Sequence, residues 1–175
     1  MTLASLFNTS QNILTNIAPD MPPELWALTA FVLGLLALMA AIDAFTAIIP
    51  DTLVMLGLIS VTGLLGIYDS WDSAAHHLQI AIVAGVLIWG VNAAWYRCFR
   101  TDAFGMGDAK WTMLVVACLG VMPALLAWGL GAILATIFIG TMRLFRRPIA
   151  RVTFAPFLFI GLCLGLYWMS SPVLD

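Results

Sequence analysis

Two aspartates stand in a chain where carboxylates are scarce. Asp43 lies in LMAAIDAFTAIIPD and Asp108 in FGMGDAKW, each beside a long run without charge. An ionisable side chain inside a transmembrane segment costs at least about 2.5–3.5 kcal/mol, so it is a functional candidate by default. Two carboxylates held close in a poorly solvated site share a proton. The ionised member can take a proton from a water attacking a peptide carbonyl. The protonated member can donate to that carbonyl and later to the leaving nitrogen. Such a pair needs no metal, cofactor, serine or cysteine. It suits proteolysis, and as a pair of proton or cation sites it suits a small ion-coupled transporter equally well. If neither carboxylate does chemistry, both are helix caps in a membrane scaffold.

The elements that must position these aspartates follow from composition. Of 175 residues 63% are hydrophobic and 9% charged, against roughly 45–50% and 25% in soluble domains. Mean hydropathy is +1.05 and the pI about 5.5, with no basic run. These values exclude a soluble enzyme, a nucleic-acid binder and a disordered chain. The fold class is an all-α integral membrane protein. The charge-free runs 25–42, 52–68, 73–96, 111–142 and 152–174 mark the spans. A crossing needs about 20 residues, so four runs fit one helix each. The run 111–142 is too long and carries Pro123, Gly129 and Gly131. It is either one kinked helix or two helices turning near Gly120–Pro123.

Charge decides between five and six spans. The seven basic residues are Arg97, Arg100, Lys110, Arg143, Arg146, Arg147 and Arg151. With six spans and both termini outside, all seven fall on the cytoplasmic side, as the positive-inside rule favours. The outer side then holds Asp20, Glu24, Asp69, Asp72 and Asp175. Asp43 ends the first span and Asp108 begins the fourth, so both come to one depth on the cytoplasmic side. The six-helix domain covers residues 24–175. In the segment 1–23, Leu3, Phe7, Leu14 and Ile17 form one face of a helix lying on the membrane surface.

Near Asp108, Gly105 and Gly107 permit positive φ and close approach of a substrate chain, and Met106 packs into lipid or a neighbouring helix. Alternatively GMG is a plain loop and Asp108 caps the following helix; the two readings are compatible. Lys110 is expected to snorkel to the interface rather than bias the Asp108 charge. Asp51 follows Pro50 and is expected to cap span 2. Asp102 reads as a solvated loop residue, and His76 and His77 as interfacial residues at the outer start of span 3. Gln79 and Asn92 read as hydrogen-bonding glue between helices. Trp26, Trp71, Trp95, Trp111 and Trp168 read as interfacial belts, and the arginines from Arg143 to Arg151 as contacts for anionic lipid. Cys98, Cys118 and Cys163 form no CxxC pair and read as apolar packing residues. No metal site is expected.

Gly105-Met106-Gly107-Asp108-Ala109-Lys110 resembles the GxGD-x-K signature of the prepilin peptidases, the type IV leader peptidases. Ile42-Asp43 followed by Ile49-Pro50-Asp51 resembles that family's other stretch, an Asp ahead of an Ile/Leu-Pro-Asp/Asn turn. Phe154-Ala155-Pro156-Phe157 is similar to its late Phe-Gly-Pro-Phe element, with Ala155 where glycine is usual. The GxGD motif alone is shared with presenilin-type proteases; the combination is far more specific. The resemblance implies an aspartic endopeptidase of the cell inner membrane, with Asp43 and Asp108 catalytic. Gly105, Gly107, Lys110, Pro50 and Asp51 would support them. It implies a prepilin-like protein substrate whose short basic leader is cut at the cytoplasmic face, and no cofactor. Larger bacterial members carry an N-terminal extension with paired cysteines linked to N-methylation; without it, the expectation is a peptidase-only form of the kind found with Tad/Flp-type pili.

Overall fold

The computed structural model describes residues 23–101, 105–145 and 152–170. Of the expected surface segment 1–23 all but Pro23, together with Asp102, the cations Arg146, Arg147 and Arg151, and the acids Asp20 and Asp175, lie outside the described residues. In hydrocarbon every backbone polar group must be satisfied within the chain, which leaves an apolar segment the helix. The charge-free runs accordingly form α1 (Pro23–Thr46), α2 (Asp51–Tyr68), α3 (Trp71–Phe99), α4 (Met106–Leu119), α5 (Val121–Leu144) and α6 (Ala155–Ser170). No strand occurs among the described residues.

Four of the six helices, α1, α2, α3 and α5, are long and apolar enough to cross a membrane. The others, α4 with 14 residues and α6 with 16, reach only about 21 and 24 Å at 1.5 Å per residue. That is short of a hydrocarbon core of about 30 Å.

The long run 111–142 breaks at Gly120, whose φ of 89° lies where side-chain-bearing residues are strained. The chain reverses there. Trp128 Nε1 donates to Thr112 Oγ1 across 2.9 Å, and these residues stand equally far from Gly120 in sequence. One kinked helix is thereby excluded, and α4 begins at Met106, earlier than the charge-free run begins.

The short α4 is the centre of the bundle. It packs on α1, α2, α3, α5 and α6, and Trp111, Leu114 and Val115 on it are fully buried. Trp111 is therefore a core residue rather than part of an interfacial belt. Trp26, Trp71, Trp95 and Trp168 are exposed, as the belts require. Of the cysteines, Cys118 is buried and Cys98 and Cys163 are exposed.

The most extensive helix pairing is α5 on α6, and small residues make it close. A Cβ on Gly161 would stand 2.6 Å from the Ala127 carbonyl oxygen and 2.7 Å from the Gly131 nitrogen. A Cβ on Gly131 would meet the Phe157 carbonyl oxygen at 3.0 Å. In lipid, apolar side chains gain little by leaving their surroundings, so backbone approach through small residues drives association.

His77 is buried on α3 rather than interfacial, and its Nδ1 donates to the Ala117 carbonyl oxygen at 3.1 Å. That carbonyl belongs to the last turn of α4, where helix carbonyls lack intrahelical partners. Gln79 is exposed. Alternation of the helices puts Arg97, Arg100, Lys110 and Arg143 at the same end as Asp43 and Asp108, and Asp69 and Asp72 at the other.

Gly161→Leu should destabilise the protein by at least about 1–3 kcal/mol, since its side chain would have to displace backbone. Gly34→Ala, with nothing within 4 Å of its Cβ position, should stay within about 1 kcal/mol of wild type, on the stabilising side. Unfolding of the detergent-solubilised protein measures both. His77→Ala should cost about 1–3 kcal/mol in the same assay by leaving the Ala117 carbonyl unpaired.

Candidate active site

Asp43 stands in the last turn of α1 and Asp108 in the first turn of α4, with relative exposures of 8% and 5%. Both carboxylates line one cavity of about 920 Å³. The walls come from the α1–α2 connection (Ala47, Ile48, Ile49), the start of α4, Asn92 on α3, Ala132 and Thr136 on α5, and Phe154 ahead of α6.

Each carboxylate is placed by local backbone chemistry. α1 ends because Ala47 turns left-handed at φ 54°, its N–H donating to the Asp43 carbonyl at 2.8 Å. This resembles the common left-handed termination of helices, here without glycine, at a cost of roughly 1–2 kcal/mol for a residue with a Cβ. Thr46 Oγ1 reinforces the turn. It donates to the Ile42 carbonyl at 2.8 Å and accepts from the Ile48 N–H at 3.3 Å. The chain is thereby reversed directly after Asp43.

At the other aspartate, Asp108 Oδ2 accepts the Gly105 N–H at 3.0 Å, and the Asp108 N–H donates to the Gly105 carbonyl oxygen, also at 3.0 Å. This is half of a capping box, since glycine has no side chain to complete it. Asp108 therefore both caps α4 and faces the cavity, as two compatible readings of the sequence allowed.

The glycines differ from expectation. Gly105 has φ −70° and Gly107 lies within the helix, so neither adopts positive φ. Gly107 matters for space: a Cβ there would stand 3.0 Å from Ile49 Cγ1 and Cδ1. Met106 is half exposed and lines the cavity. Lys110 does not simply snorkel. Its Nζ forms an ion pair with Asp51 Oδ1. Nor is Asp51 the cap of α2: Pro50 holds the N-cap position with φ −66°, and Asp51 is the first helical residue, with no side-chain capping bond. Its charge still favours the positive end of the helix dipole.

Three site residues escaped the sequence reading in whole or part. Asn92 lines the cavity instead of serving only as glue between helices. Thr112 Oγ1 donates to the Asp108 carbonyl oxygen at 2.7 Å, one turn on, and accepts Trp128 Nε1. The Trp128 ring lies 5.3 Å from that of Phe154. The Phe-Ala-Pro-Phe stretch is thus linked through Trp128 and Thr112 to the backbone of Asp108. The threonine at i+4 was a readable signal for a bond to a helix carbonyl; Trp128 had none, since its partner is set by the reversal at Gly120.

Among the described residues, no group of three His, Cys, Asp or Glu side chains is placed to hold a metal ion.

Comparison with known proteins adds to this geometry. The model of the type IV leader peptidase family matches residues 30–142. The match takes in Asp43, the Ile49-Pro50-Asp51 turn and Gly105 to Lys110, and ends before Phe154. No curated protein matches the chain, and no solved structure does. A family match over more than half the chain, on a helical membrane bundle, establishes that this protein belongs to the type IV leader peptidase family and is a membrane peptidase that hydrolyses peptide bonds.

Proposed function

We propose that Asp43 and Asp108 are the catalytic pair of an endopeptidase that removes the short basic leader from prepilin-like proteins, Tad/Flp-type pilins being the candidate class. The reaction takes place at the cytoplasmic face of the cell inner membrane, with both termini of the enzyme on the outer side. The observation that carries this reading is the pair of buried carboxylates lining one cavity. Its volume of about 920 Å³ lies within the range of ligand clefts. The described cations gather at the same end of the bundle, which supports the cytoplasmic assignment.

The pair shares one proton and cleaves in two stages. The ionised carboxylate takes a proton from water as the oxygen bonds to the scissile carbonyl carbon, and the protonated carboxyl donates to the carbonyl oxygen. The resulting gem-diol then collapses. The C–N bond breaks, the nitrogen takes a proton from the carboxyl that received one from water, and a hydroxyl proton returns to the other carboxylate. The two products leave with the pair again holding one proton. Burial of the two carboxylates lowers the local dielectric and strengthens each hydrogen bond in this sequence.

Asp43→Asn and Asp108→Asn should each lower leader cleavage by at least about 10²–10⁴-fold, while the protein still inserts and accumulates. Co-expression with a candidate prepilin, scored by the size shift of the processed product, measures this. Wild-type cleavage by both variants would refute the catalytic pair. Loss of proton- or ion-coupled flux in proteoliposomes would then identify the aspartates as an ion pathway.

A further inference from the structure

The stretches Ile49-Pro50-Asp51 and Gly105 to Lys110 meet in space in a regular way. Ile49 and Asp51, on either side of Pro50, face Gly107 and Lys110, on either side of Asp108. Ile49 is buried and packs against Gly107 so closely that a Cβ there would be 3.0 Å from its side chain. Asp51 Oδ1 and Lys110 Nζ form the ion pair. Pro50, with φ near −66°, holds the separation between the two contacts rigid. The segment making these contacts directly follows the turn that ends α1, so it is continuous with Asp43.

We infer that Ile49, Pro50 and Asp51 act as a two-point clamp on the first turn of α4, and that Asp51 and Lys110 are positioning residues for the carboxylate pair. The inference rests on the catalytic reading of Asp43 and Asp108 above.

Stability does not explain the ion pair. Asp51 is 74% exposed and Lys110 32%, and exposed pairs contribute little to folding. Its location does explain it. Asp43 and Asp108 come from different helices, α1 and α4, and beside the site the α1–α2 connection bridges them through Ile49 and Asp51. The apolar contact at Ile49 fixes the first turn of α4 against the connection at one point, and the polar contact one turn further along fixes the direction of that turn at a second. Reaction rates are steeply sensitive to such placement, a misplacement of about 1 Å being able to cost 10²-fold. Lys110 itself lines the cavity, so a role in binding substrate must be separated from a role in placement.

Steady-state kinetics of the purified full chain in lipid vesicles, acting on a prepilin it cleaves, make that separation. Asp51→Asn and Lys110→Met should each lower kcat by about ten-fold or more, with KM within about three-fold of wild type. The charge-swapped double variant Asp51→Lys/Lys110→Asp should recover most of the lost kcat, and Lys110→Arg should remain close to wild type. Wild-type kcat in both single variants refutes the clamp. So does a loss confined to KM, which would mean that the charges touch substrate, or a double variant no better than either single. Asp43→Asn and Asp108→Asn measured alongside keep the readings apart: their inactivity together with wild-type kcat at Asp51 and Lys110 removes the clamp alone, while their full activity removes the catalytic pair on which it rests. Because the ion pair is exposed, the single variants should accumulate and unfold as wild type does, which the same preparations verify.

Discussion

The first N–H groups of a helix have no partners within it, and in a poorly hydrated site something must supply them. In α4 the Asp108 carboxylate does so, accepting the Gly105 N–H while facing the cavity. A buried carboxylate and an unpaired donor, each costly by itself, satisfy one another. The rest of the bundle depends on this helix start, because α4 is the element on which every other described helix packs. Ten of its fourteen residues are buried, so it is fixed by its surroundings rather than by its own length. It is too short for a full crossing, and the cavity lies at its N-terminal end, walled by Asn92 on α3 and by Ala132 and Thr136 on α5.

Lipid as solvent explains how the surroundings are held. Burial of apolar side chains supplies little association energy where the alternative is hydrocarbon. The contacts that matter are therefore close backbone approach and internal polar bonds. Gly131 and Gly161 bring α5 and α6 together, while His77 on Ala117 and Trp128 on Thr112 tie α3 and α5 to α4. The last of these also reaches the site, since Thr112 bonds the Asp108 carbonyl and Trp128 contacts Phe154. Structural bonds and site geometry are here the same bonds.

Much of the fold was readable because charge is so rare. Sixteen charged residues in 175 delimit the helices almost unaided, and the asymmetry of the cations selects two helices over one for the run 111–142. Periodicity had less to offer. A helix surrounded by lipid is apolar on every face, so which face is inside leaves little trace in sequence. That is why Trp111 read as interfacial and is a core residue, and why His77 read as interfacial and is buried. The glycines near Asp108 were read by their φ freedom, whereas the property Gly107 uses is its small size against Ile49. Size is required only by a neighbour, and the neighbour is distant in sequence.

The sequence by itself determined the membrane class, the six helices, the placement of Asp43 and Asp108 at one end of the bundle, and the motifs that the family match later covered. These are properties of hydropathy, charge and local spacing, each of which acts along the chain. Only the tertiary structure decided that α4 is short and central, that Asn92 and Phe154 wall the same cavity, and that Lys110 pairs with Asp51. Those facts depend on which helix stands beside which, and in lipid that choice is made by small residues and single hydrogen bonds between segments far apart in the chain. Composition records the solvent of a helix, and its neighbours are recorded only in the contacts themselves.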